Sequence, residues 1–83
     1  MVDNKFDKKI LKVLKQHHKE NPKMGMQASD IAREGKMNLA TTTRRLLMLA
    51  LDKRVKRVTV NFLGDIKTVW DVPEAVWKVE DYV

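Results

Sequence analysis

The chain contains no cysteine, one serine, three glycines and two prolines in 83 residues. Each shortage removes a class of protein. Without cysteine there is neither a disulfide framework nor a thiolate metal site, a composition suited to a reducing compartment. The scattered Gly25, Gly35 and Gly64 form neither a phosphate-binding loop nor a dinucleotide fingerprint. Ser29 has no histidine at a motif spacing to activate it. The only histidines, His17 and His18, are adjacent, so on a helix their side chains diverge by about 100° and are poorly placed to share a metal. A core His17 and a surface His18 are expected instead. An enzyme, a cofactor and a small-molecule substrate are therefore not expected. The longest apolar run, Leu46 to Leu51, falls far short of the roughly 20 residues that span a bilayer, and no apolar signal region follows the polar start. These absences point to a cytoplasmic protein without a membrane partner, folded as one domain around one core.

Positive charge is plentiful and unevenly spread. The formal charge is +6. Residues 36–70 carry 8 Lys/Arg against 2 Asp/Glu, whereas residues 71–83 carry 1 against 4. A basic centre followed by an acidic tail suits a polyanionic partner such as nucleic acid.

From Asp3 to about Lys19, Phe6, Ile10, Val13, Leu14 and His17 recur at three- and four-residue spacing, which predicts a helix with one buried face. Lys8, Lys12, Lys15 and Lys19 fall on the opposite face, as a solvated stripe or a phosphate-contacting one. "ENPKMG", residues 20–25, should end that helix, since the residue before Pro22 is pushed out of the helical region. Met24 and Met26 are expected to re-enter the core as a short extended piece. A second helix is predicted from about Gln27 or Ala28 to Glu34, with Ile31 and Ala32 inward and Gly35 as terminator. Asn38 is a suitable N-cap for a third helix from Leu39 to about Lys53. Only Lys36, Met37 and Asn38 separate these two helices, so they should cross steeply. Residues 55–72 then alternate in β fashion about Phe62-Leu63-Gly64-Asp65, predicting an antiparallel hairpin with Val58, Val60, Ile66 and Trp70 inward.

The run from Ile31 to Leu46, "IAREGKMNLATTTRRL", resembles the pattern I-A-x-x-x-G-x-S-x-x-T-V-S-R-x-L of winged helix-turn-helix DNA-binding domains of the small transcriptional-regulator type. Ile31, Ala32, Thr41, Arg44 and Leu46 match outright; Asn38 and Thr43 replace serine, and Thr42 stands for valine. The resemblance implies an α+β fold over residues 1–72, three helices and a C-terminal β-hairpin wing. A short C-terminal extension, 73–83, would pack on the domain or on a partner subunit, and Pro73 suits a helix start within it. The chain departs from the family at two glycines. Lys36 stands at the turn glycine, so either the turn shifts by one residue or Lys36 becomes left-handed at some cost. Lys53 stands near a second, which would let the third helix run longer.

On a helical wheel Leu39, Thr42, Leu46, Leu49 and Ala50 share the core side, while Ala40, Thr41 and Arg44 lie outside with Thr43 and Arg45 on the flanks. The resemblance implies that this helix enters the major groove of double-stranded DNA. Arg44 would then pair the two acceptors of a guanine, Arg45 hold a phosphate, Asn38, Thr41 and Thr43 offer polar contacts, and Ala40 permit close approach. Lys56, Arg57, Asn61, Gly64 and Lys67 would serve the wing. Leu47, Met48 and Leu51 join neither face. Two covers compete, the Val76 and Trp77 segment or a second subunit of a homodimer. Transcription regulation is the expected role; the alternative is a protein-contact module of a larger replication or transcription assembly.

Overall fold

A computed structural model describes residues 4–75; Val76 and Trp77 lie outside the described residues. Three helices, α1 (Lys5–Glu20), α2 (Ala28–Gly35) and α3 (Leu39–Leu51), precede strands β1 (Lys56–Phe62) and β2 (Asp65–Asp71). The strands pair antiparallel as a two-stranded sheet, so the fold is α+β with a winged-helix-like layout. No helix among the described residues is long and apolar enough to cross a membrane.

Each helix boundary has a local cause. Asn4 caps α1, its side chain accepting the Asp7 amide at 2.8 Å. Asn38 caps α3, accepting the amides of Ala40 at 2.8 Å and Thr41 at 3.3 Å. These bonds satisfy amides that have no partner within the helix. At their other ends α2 and α3 stop in the same way. Lys36 donates to Arg33 and Met37 to Ala32; Lys53 donates to Ala50 and Arg54 to Leu49. Both are paired-carbonyl closures that need a left-handed residue, normally glycine. Lys36 has φ 54° and Lys53 φ 59°. Lysine thus takes the left-handed position at both closures, with no shift of the turn, and α3 ends at Leu51 rather than extending to Lys53. A side chain in this conformation costs roughly 1–2 kcal/mol, which the capping bonds offset.

One core joins the three helices to β2. Ile10 and Leu14 of α1, Ile31 of α2, and Leu46 and Leu49 of α3 meet Met26, Val55, Trp70, Val72 and Ala75. Met26 exchanges backbone hydrogen bonds with Trp70, donating at 2.8 Å and accepting at 2.7 Å, which fastens the α1–α2 connection to the outer edge of β2. At the neighbouring Gly25 a Cβ would lie 2.8 Å from the Trp70 carbonyl oxygen, so this approach requires glycine. Met24 does not enter the core and is 44% exposed, because it belongs to the turn after Pro22 and makes no bridge.

The hairpin turns on Leu63 and Gly64, whose φ angles of 53° and 86° follow the two-residue turn that matches strand twist. Phe62 then pairs with Asp65, Asn61 with Ile66 and Arg57 with Trp70. Paired residues share a face, so Ile66 and Trp70 lie on one face and Val58, Val60 and Val69 on the other. The expected single inner face of Val58, Val60, Ile66 and Trp70 is therefore corrected. Trp70 is buried at the helix end of the hairpin, whereas Ile66, four residues nearer the tip, is 75% exposed. Val60 and Val69 are buried on the reverse face.

Candidate nucleic-acid interface

The outer side of α3 follows from how the helix is pinned. Thr42, Leu46 and Leu49 are buried beneath it. Thr42 packs inward as expected, and its hydroxyl donates to the Asn38 carbonyl at 2.8 Å rather than remaining unpaired in the core. Leu39, expected on the core side, is 51% exposed. A wheel gives direction but not height, and Leu39 sits one turn beyond Thr42 at the open end of the helix.

Rotation about the axis is held by an ion pair that spans the fold. Arg45 donates through Nε and Nη2 to the two carboxylate oxygens of Asp7, each at 2.8 Å. Asp7 is buried in the first turn of α1, and its carboxylate raises the Arg45 pKa by hydrogen bonding and charge. This two-pronged contact is directional. The contact uses two of the five guanidinium N–H groups, so Arg45 serves first as a structural clamp on α3 and is not the freely placed phosphate ligand expected. Only tertiary structure reveals this, because Asp7 and Arg45 are 38 residues apart.

Arg44, one position earlier and about 100° around the helix, is exposed, as is Ala40. Thr41 and Thr43 are half-buried. The Asn38 side chain is occupied as the cap, so what it contributes is the orientation of the first amides of α3. Those amides and the positive end of the helix dipole face the same end of the helix as Thr41. Beyond Arg44, Leu47, Met48 and Leu51 continue the exposed surface at 40, 47 and 77%.

The hairpin distributes its cations unequally. Lys56 is half-buried and donates through Nζ to the Ala75 carbonyl at 2.9 Å, so its assignment to a wing contact is corrected: it closes the chain after β2 against β1. Arg57 is exposed, its guanidinium 5.7 Å from the centre of the Trp70 ring, a cation–π contact that steadies it. Lys67 is half-buried, and Asn61 and Gly64 are exposed at the distal end. Leu63, 87% exposed, and Ile66 were not anticipated there. Leu63 could have been identified from the turn itself, since a two-residue turn leaves its first residue without a neighbouring strand to pack on.

His17 and His18 are both half-buried, which corrects the core position expected for His17 and the surface position expected for His18. Its Nδ1 lies 3.5 Å from Oδ1 of buried Asp71, which also accepts the Val72 amide at 2.7 Å. Among the described residues no three potential metal ligands of the His, Cys, Asp or Glu type gather in one place. Comparison with protein-family models, curated proteins and solved structures finds no match to this chain.

Proposed function

We propose that the protein binds double-stranded DNA in a sequence-specific or semi-specific manner, as a transcriptional regulator, with α3 in the major groove and the hairpin as wing. The observation that carries this reading is the division of labour between adjacent arginines. Arg45 fixes the rotation of α3 against Asp7, and Arg44 is thereby held outward from a rigid helix, beside a small Ala40 that allows close approach. A guanidinium so held can pair both acceptors of guanine in the major groove, an interaction worth about 1–3 kcal/mol of base discrimination. Arg57, Asn61, Gly64 and Lys67 are the wing contacts retained.

Duplex affinity should fall with log salt at a slope equivalent to roughly 4 to 8 phosphate contacts per subunit. Arg44→Ala should lower affinity for the preferred sequence by about 10- to 100-fold and flatten the preference among sequences selected from a random pool. An equal loss for preferred and scrambled duplexes would remove Arg44 from base recognition.

The exposure of Leu47, Met48 and Leu51 favours a second reading, in which the same helix face meets protein, a second copy of this chain or a component of a replication or transcription assembly. In a homodimer the two recognition helices would sit about 34 Å apart and select an inverted repeat.

A further inference from the structure

The lysine stripe of α1 lines a shallow, open depression of the surface. Lys8, Lys12, Lys15 and Lys19 join Arg54, from the segment between α3 and β1, to line one cleft of about 540 Å³. We propose that this cleft is a second nucleic-acid contact, which binds a run of backbone phosphates without reading sequence and does not depend on the reading of α3.

Three observations carry the proposal. No carboxylate lines the cleft, and none among the described residues pairs with its four lysines. Of the acidic groups of α1, Asp7 holds Arg45, and Glu20, at the edge of the cleft, accepts the amide of Gln16, which lines it, at 2.9 Å. The four lysines therefore share one shallow surface beside Arg54, where their mutual repulsion is relieved by a polyanion. The spacing also fits. Lys8 to Lys19 covers 11 helical steps, about 16 Å, and a nucleic-acid strand presents a phosphate about every 3.4 Å of duplex axis, so about five phosphates pass along that length. Finally, the cleft's one aliphatic side chain, Leu11, is packed against the core, so it lacks the exposed apolar groups with which a basic helix enters a lipid surface.

The test measures binding of a mixed-sequence DNA duplex of about 30 base pairs between about 50 and 200 mM salt, for four proteins. These are the wild type, a cleft variant (Lys8→Gln, Lys15→Gln, Lys19→Gln), a charge-matched control (Lys5→Gln, Lys9→Gln, Lys23→Gln) and Arg44→Ala. All of the lysines replaced are exposed and glutamine is an equally good helix former, so circular dichroism and thermal midpoint should be retained. The cleft variant is expected to lose about two to three units of log–log salt slope, so that its affinity falls about 40-fold less than the wild type's across this range. The control should lose less than one unit. Equal losses in cleft variant and control, or no loss in the cleft variant, would overturn the proposal, and so would wild-type binding to anionic phosphatidylserine vesicles in preference to the duplex. On the duplex selected from a random pool, weakening by Arg44→Ala with an unaltered cleft variant leaves the α3 reading standing and removes the cleft. A weakened cleft variant with the sequence preference retained in Arg44→Ala keeps the cleft and removes α3.

Discussion

On the inner face of α3, Thr42, Leu46 and Leu49 are no more than 2% exposed; on its outer face, Leu47, Met48 and Leu51 are 40 to 77% exposed. Residue type does not separate the two sets, since leucines occur in both. What separates them is what the rest of the fold presents: α1 and β2 supply Ile10, Leu14 and Trp70 on one side, while the Asp7–Arg45 pair prevents the helix from rolling to bury the other. A helix with apolar residues nearly all round is normally buried nearly all round. Here it is not, and the uncovered side carries Arg44.

The largest expected effect lies on the inner face. Leu46→Ala should cost about 2–5 kcal/mol in denaturant unfolding, through lost burial and the cavity left behind, whereas Leu51→Ala should stay within about 0.5 kcal/mol. Similar losses at the two positions would mean that the outer face is packed in solution. Next in size is an effect on assembly. If the outer face joins two copies, light scattering should report a dimer mass for the wild type and a monomer mass for Met48→Asp, with the fold retained. A wild-type protein that stays monomeric at high concentration would leave that face to DNA or to another protein. The smallest effect is a gain. Leu63→Asn places Asn-Gly in the hairpin turn and should raise stability by about 0.5–1 kcal/mol without changing duplex affinity. A concurrent drop in affinity would show that the exposed Leu63 side chain is a contact in its own right.

Much of the fold was legible because its signals are local. The Asn38 cap, the break at Pro22, the burial of Ile10, Leu14 and Ile31, and the change from helical to alternating period near Val55 each rest on a few consecutive residues. The misassignments share a different origin. Alternation orders the residues of one strand but fixes neither the register with its partner, which sets Val58 and Val60 on the face opposite Ile66 and Trp70, nor how far the helices extend beneath it, which leaves Ile66 exposed. Arg45 and Lys56 looked like surface cations because their partners, Asp7 and the Ala75 carbonyl, are distant in the chain. The cleft on α1 was only half visible, as a stripe, since Arg54 reaches it from beyond α3.

By itself, then, the sequence determined the order of helices and strands, about where each helix lies and which side of it packs inward, since capping, proline and periodicity act over one or two turns. Even the lysines that follow α2 and α3 close both helices in the left-handed conformation usual for glycine. Tertiary structure alone decided which charges remain free for a partner. A carboxylate or carbonyl arriving from another element captures the guanidinium or ammonium nearest to it. Arg44 and Arg45, adjacent in the chain and both expected to face DNA, part into an exposed cation and a structural clamp only because α1 brings Asp7 to one of them.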